Sequence, residues 1–181
     1  MAAPETTAGE ESKATILAIL AENRIMSLAT LRADDWPQVT LVGYAHDDLT
    51  LYCTVGRSSQ KLANIARNPR VSVAIGHDEP RRLRGLSMSG KAAPVTDMEE
   101  IERLNRVIAG RYPEQTIFAP RETSCAVLRI TPKLVSIIDL AKTPGLPSLV
   151  EVVSETVVRH VDSQQADAIM RESAAPQVPR I

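Results

Sequence analysis

The spacing of apolar positions changes along the chain, and each change marks an element. After Ser12, the residues Ile16, Leu17, Ile19 and Leu20 form one helical stripe, so a helix capped by Ser12 is expected to end near Asn23. Ile25 to Leu31 reads as a strand, and Asp34, Asp35, Trp36 and Pro37 as a turn. From Gln38 to Ala45 the period is two, with Val39 and Leu41 on one face and Thr40 and Val42 on the other. His46, Asp47 and Asp48 reverse the chain into Leu49 to Thr54, where Leu49, Leu51 and Cys53 alternate with Thr50, Tyr52 and Thr54 as in a half-buried strand. These two strands are expected to pair as a hairpin. Gly56 breaks the alternation, and Ser58 or Ser59 caps a helix whose Leu62, Ile65 and Ala66 share a face. Asn68 and Pro69 stop it.

Val71 to Gly76 is again a strand, followed by the charged loop HDEPRRLR. From Leu83 to Ala93, Leu86 and Met88 face one way and Ser87 and Ser89 the other. Thr96 and Glu99 fit a capping box for a helix carrying Met98, Ile101, Leu104 and Ile108, with Gly110 as its stop. Tyr112 to Glu122 reads as loop. Cys125 to Ile130 and Lys133 to Leu140 form one long strand, bulged or bent at Pro132. Pro144, Gly145 and Pro147 place a loop over Lys142 to Ser148, and the Val-rich run from Leu149 to Val161 is extended. Asp162 and Gln165 cap a last helix through Ser173, and AAPQVPRI is a loose tail. The organisation expected is a disordered tail over 1–11, one domain over 12–161, and a C-terminal helix and tail over 162–181. Connections between the early strands are too short for parallel crossovers. A mainly β chain, an antiparallel barrel or sandwich with helices packed outside, is the architecture that fits.

Charge and composition narrow the chemistry. The formal net charge of −1 gives no electrostatic case for nucleic acid or an anionic membrane, and aromatic residues, at 3%, are too scarce for a base-stacking surface. No apolar run is long enough to span a membrane. The polar, acidic start MAAPETTAGEESK is unlike a secretory signal, and Cys53 and Cys125 suggest no disulfide framework or zinc site, so a cytoplasmic setting is expected. His46, His77 and His160 are scattered, so no metal site is expected. There is no dinucleotide-binding, Walker-type or nucleophile-elbow motif. Glu99 and Glu100 read as helix-start charges. Arg81, Arg82 and Arg84 read as a solvated basic loop, with contact to an anionic ligand as the alternative. No catalytic residue can be named, so an enzyme of this composition needs a cofactor to supply its reactive atom.

One stretch could hold such a group. LTLYCTVGRSSQKLANIARNPRVSV, from Leu49 to Val73, places a helix start, two hydroxyls, Arg57 and Lys61 together. That combination suits a phosphate, although an ordinary capped helix with solvated charges is the commoner arrangement. The pieces IMSLATLRADDWPQVTLVGYAHDDLTLYCT, SSQKLANIARNPRVSV, LRGLSMSGKAAPVTDMEE and IIDLAKTPGLPSLVEV together resemble the pyridoxamine-phosphate-oxidase-like, FMN-binding split-barrel family, over roughly residues 14 to 153. The resemblance implies a six-stranded antiparallel split β-barrel with outer helices. It further implies a homodimer with FMN at the subunit interface and an FMN-dependent oxidoreductase of a small molecule.

Carried onto this chain, the resemblance implies a phosphate grip by Ser59, Gln60 and Lys61, with Ser58 as an added hydroxyl. Thr40, Leu41 and Val42 would line the flavin ring, with Cys53 and Thr54 beside it, and Ser87 and Ser89 on a strand that reaches it, in one subunit or from its partner. Pyridoxamine-phosphate oxidases carry an arginine on the second strand where this chain has Thr40, and a C-terminal Trp and Arg pattern. No Trp follows Trp36 here, which argues against pyridoxamine phosphate as substrate. Alternatives within the same fold are a haem-binding or haem-degrading protein using His160, a deazaflavin-dependent reductase whose groove is lined by the Arg81, Arg82 and Arg84 loop, and a non-catalytic flavin carrier.

Overall fold

The computed structural model describes residues 5–79, 82–111, 124–139, 147–154 and 157–173. Its helices are α1 (Glu5–Glu22), α2 (Gln60–Arg67), α3 (Met98–Arg111) and α4 (Ser163–Ser173). Its strands are β1 (Ile25–Leu31), β2 (Pro37–Gly43), β3 (Ala45–Asp47), β4 (Thr50–Gly56), β5 (Arg70–Glu79), β6 (Arg82–Pro94), β7 (Cys125–Asp139), β8 (Ser148–Val152) and β9 (Val158–His160). Among the described residues every strand pairing is antiparallel and all belong to one sheet of order β2-β1-β5-β6-β7-β4-β3, with β8 added to β7 and β9 to β8. The sheet curls until β2 runs past β4 without pairing to it, so the barrel is not closed. The described residues form nine strands where six were expected: β1, β2 and β4 to β7 are the longer ones, and β3, β8 and β9 are short additions. Among the described residues no helix is long and apolar enough to cross a membrane.

Alternation decides which faces are buried. On β1, Met26 and Leu28 point inward, and Val71, Val73 and Ile75 of β5 and Leu86 and Met88 of β6 join them in the main core. Each such side chain contributes about 1.5–3 kcal/mol by leaving water. Ser87 is exposed and Ser89 partly so, as the alternation predicts. A second core lies outside the sheet, where Tyr52 and Val127 meet Ile101, Leu104 and Ile108 of α3. The half-buried pattern expected of β4 is therefore wrong: α3 covers its outer face, and Tyr52 is buried as well as Leu51 and Cys53. Tyr52 places its hydroxyl 3.2 Å from Glu100 Oε1.

Several boundaries also differ from expectation. β2 pairs with β1, not β4, and the hairpin partner of β4 is the short β3. The chain leaves β2 at Tyr44, whose N–H donates to the Arg24 carbonyl and whose hydroxyl donates to that of Leu20. α1 begins at Glu5, inside the stretch expected to be a tail, so Ser12 lies within the helix. Its early turns are held because α1 lies against β9; a Cβ on Gly9 would stand 2.6 Å from the Val158 carbonyl oxygen. The charged loop is narrower than expected, since β5 and β6 stay paired out to Glu79 and Arg82. Asp97, not Thr96, caps α3, its Oδ1 accepting from Glu99 N–H at 3.0 Å. Asp162 and Gln165 cap α4 reciprocally, as expected. The loops expected over 112–122 and 142–146 and the tail after Ser173 lie outside the described residues.

The bend expected at Pro132 is a β-bulge. Gly90 pairs with Pro132 and Ser89 with Leu134, leaving Lys133 as the extra residue. Proline has no N–H to give the ladder, and a Cβ on Gly90 would collide with the Thr131 carbonyl oxygen.

Candidate functional site

The turn from β4 into α2 is built by backbone bonds before any side chain acts. Arg57 N–H donates to the Ser124 carbonyl at 2.7 Å and Ser59 N–H to that of Gly56 at 3.0 Å. Ser59 is the N-cap: its extended backbone (φ −73, ψ 143) lets Oγ accept from Leu62 N–H at 3.3 Å. Among the described residues the N–H groups of Gln60 and Lys61 have no main-chain acceptor. The exposed Ser58 and the half-buried Lys61 have no side-chain partner there either, and Lys61 forms no ion pair. Two N–H groups, a hydroxyl and a cation therefore meet at one place, a set of donors that suits a phosphate.

α2 is fastened to the sheet by a buried amide. Asn64 Nδ2 donates to Thr30 Oγ1 at 3.0 Å and to Gln38 Oε1 at 3.1 Å, and its Oδ1 accepts from Gln60 Nε2 at 3.0 Å. This bond occupies part of the Gln60 side chain assigned to phosphate. Asn64 and Ile65, rather than Ala66, form the buried face of the helix. Asn64, Thr30 and Gln38 were not singled out from sequence; the only signal is the spacing of Asn64 four residues after Gln60, one helical turn.

The ring-lining candidates divide by face. Thr40 and Val42 share the inner face of β2, and Leu41 points outward, 73% exposed. Leu41 and Val42 therefore cannot both lie against one side of a flat ring. Thr40 Oγ1 is buried without a hydrogen-bond partner among the described residues, an orphaned polar atom where β2 runs past β4. Cys53 is sealed in the core, 1% exposed. Burial pushes its thiol pKa up to about 12 against the pull of the Lys61 charge, so it is a neutral thiol and offers a ligand only its main chain. Thr54 is exposed at the end of β4, next to the turn.

Ser87 and Ser89 lie on the same outer sheet face as Leu41. One rung runs Leu41, Ser27, Ala74, Ser87, and the next Val39, Ala29, Ser72, Ser89. Three strand spacings separate β2 from β6, roughly 14 Å. The fold thus gathers the α2 and β2 candidates in one region and holds both serines apart from them. Arg84 is committed to Glu22, at 2.6 Å, and to Asp139, at 3.3 Å. It is thereby removed from the basic cluster considered for a ligand. His160 Nε2 forms a 2.7 Å hydrogen bond with Ser12 Oγ. Among the described residues no group of His, Cys, Asp and Glu could hold a metal ion.

Comparison with known proteins matches this architecture. A family model described as pyridoxamine 5'-phosphate oxidase matches residues 12–139. The F420H(2)-dependent biliverdin reductase of Mycobacterium tuberculosis is 33% identical over 98 residues, 53% of this chain and 69% of its own. The crystal structure of a candidate pyridoxamine 5'-phosphate oxidase from Listeria innocua is 31% identical with a TM-score of 0.58, covering 70% of this chain and 98% of its own. A solved F420 reductase is 26% identical with a TM-score of 0.51, covering 66% of this chain and 94% of its own.

Proposed function

The chain belongs to the pyridoxamine 5'-phosphate oxidase family, and from that premise we propose that it is an oxidoreductase holding a flavin-type cofactor with its phosphate at the start of α2. The arrangement there carries the proposal: a Ser59-capped helix start, free N–H groups at Gln60 and Lys61, the Ser58 hydroxyl and the Lys61 ammonium. The residues fit such a group on a second count, since Thr40 Oγ1 is a buried polar atom in need of a partner.

FMN and the deazaflavin F420 share a phosphate and a tricyclic ring, so the same grip serves either. F420 is the better supported, because reductases named for it are 33% and 26% identical to this chain. Thr40 stands where pyridoxamine-phosphate oxidases carry an arginine, which sets this chain apart from those enzymes. When bound and reduced, the cofactor supplies a hydride to a small unsaturated substrate. The protein's part is to grip the phosphate with Lys61 and the serines, and to shield the ring from water along β2.

A second copy of the chain is the proposed partner. Ile25, Val39 and Leu41 stand exposed on the outer sheet face, at 59%, 62% and 73%, with Leu41 in the row that holds Ser87 and Val39 in the row that holds Ser89. A twofold contact there would cover this patch and bring the partner's strands toward the β2 region.

Fluorescence titration of the purified protein with F420 and with FMN tests the reading. F420 is expected to bind at least tenfold more tightly, and Lys61→Ala to cost about 1.5–3 kcal/mol of that affinity, the scale of a charged hydrogen bond. Protein that purifies yellow with FMN and ignores F420 would reverse the choice of cofactor. Binding of neither would sink the proposal.

A further inference from the structure

A second concavity lies past the C-terminal end of α2, about 12 Å of helix away from the Ser59 cap. It encloses about 210 Å³. Its walls include Leu31, Pro37 and Met170, the last from α4, and its cations are Arg70, Lys91 and Lys133. Among the described residues no carboxylate lines it.

Three observations bear on these cations. First, Lys13, Arg32, Arg84, Arg103, Arg129 and Arg159 sit in ion pairs, whereas among the described residues the three groove cations, like Lys61, Arg67, Arg106 and Arg171, do not. Arg70 Nε instead donates to the neutral Asn68 Oδ1, at 3.0 Å. Second, the β5–β6 register puts Arg70 directly opposite Lys91, and like charges facing one another across a ladder are destabilising. Third, Lys133 is the extra residue of the bulge at Gly90, the device by which a strand re-aims a side chain. The groove thus gathers three cations, two of them cross-strand neighbours, beside an apolar wall, and an anion placed there would be attracted by all three.

We infer that this groove binds a small amphipathic carboxylate: the acid group would pair with Lys91, Lys133 and Arg70, and the apolar body would leave water against Leu31, Pro37 and Met170. The site is separate from the start of α2 and does not depend on which cofactor binds there; its Ala29 and Ser72 lie in the Val39 row, so it borders the face proposed for the second copy.

The test uses the full chain and two fluorescent probes of like shape, anionic 1-anilinonaphthalene-8-sulfonate and neutral N-phenyl-1-naphthylamine. The anionic probe is expected to saturate, to weaken with added salt, and to be displaced by dodecanoate but not by equimolar inorganic phosphate. Lys91→Gln with Lys133→Gln should weaken it at least tenfold and leave the neutral probe unchanged. Lys133→Gln alone, at an exposed position, should weaken it severalfold and covers the case in which the double variant folds poorly. Lys61→Ala should leave it unchanged. Equal affinity of the anionic probe for wild type and both lysine variants, or equal loss of both probes, would overturn the site. Displacement by phosphate as readily as by dodecanoate would overturn its amphipathic character.

Discussion

At the scale of single residues, Asn64 connects more of the site than any position chosen from sequence. Its carboxamide joins α2 to β1 through Thr30 and to β2 through Gln38, so it sets the distance between the helix start and the strand beside it. Asn64→Ala would leave the Thr30 hydroxyl buried and unpaired. It is expected to cost about 2–3 kcal/mol in urea unfolding, with weaker cofactor binding because α2 loosens. A loss below about 0.5 kcal/mol would mean that the network does not hold the helix. The Ser59 cap was legible in advance because capping is local chemistry. Asn64 was not, because a polar residue on a helix reads as solvated until its partners, far away in sequence, are known. The error over Ala66 has the same origin: the Asn64 bonds turn the helix so that Ala66 faces water.

At the scale of elements, the long strand β7 was read correctly, including its irregularity, because Pro132 cannot donate to a ladder. Gly90 is the matching requirement on β6. Gly90→Ala would press a methyl group onto the Thr131 carbonyl, where there is no room for it. The expected cost is about 3 kcal/mol by thermal or chemical unfolding, and a neutral result would show that the bulge can move. The hairpin was misread for a different reason. Alternation identifies strands but not their partners, and the next strand in sequence is only the default neighbour. Here the bonds from Tyr44 to the backbone of Arg24 and Leu20 divert the chain, and β2 stays with β1. In the same way, the alternation of β4 could not reveal that α3 lies on its outer face.

At the scale of the molecule, the antiparallel order was legible from short connections and period-two runs, which left barrel and sandwich both open; the split barrel followed from the family resemblance, and the added short strands from neither. The exposed apolar rows of the outer face lead to the last prediction. Leu41→Asp should convert a dimer into monomers by light scattering after size exclusion; a monomeric wild type would remove the basis for a two-chain site. One contact described above also bears on how the chain matures. Ser12 and His160 lie 148 positions apart, and their bond seats α1 against β9. During synthesis α1 can settle on β5 and β6, but its seat is complete only when the β8–β9 hairpin has left the ribosome. Closing so long a loop is costly, which makes this contact a late step of folding and a slow one. Until then the turns of α1 around Gly9 and Ser12 lack their partners, so completion of the fold depends on how quickly the β8–β9 hairpin arrives.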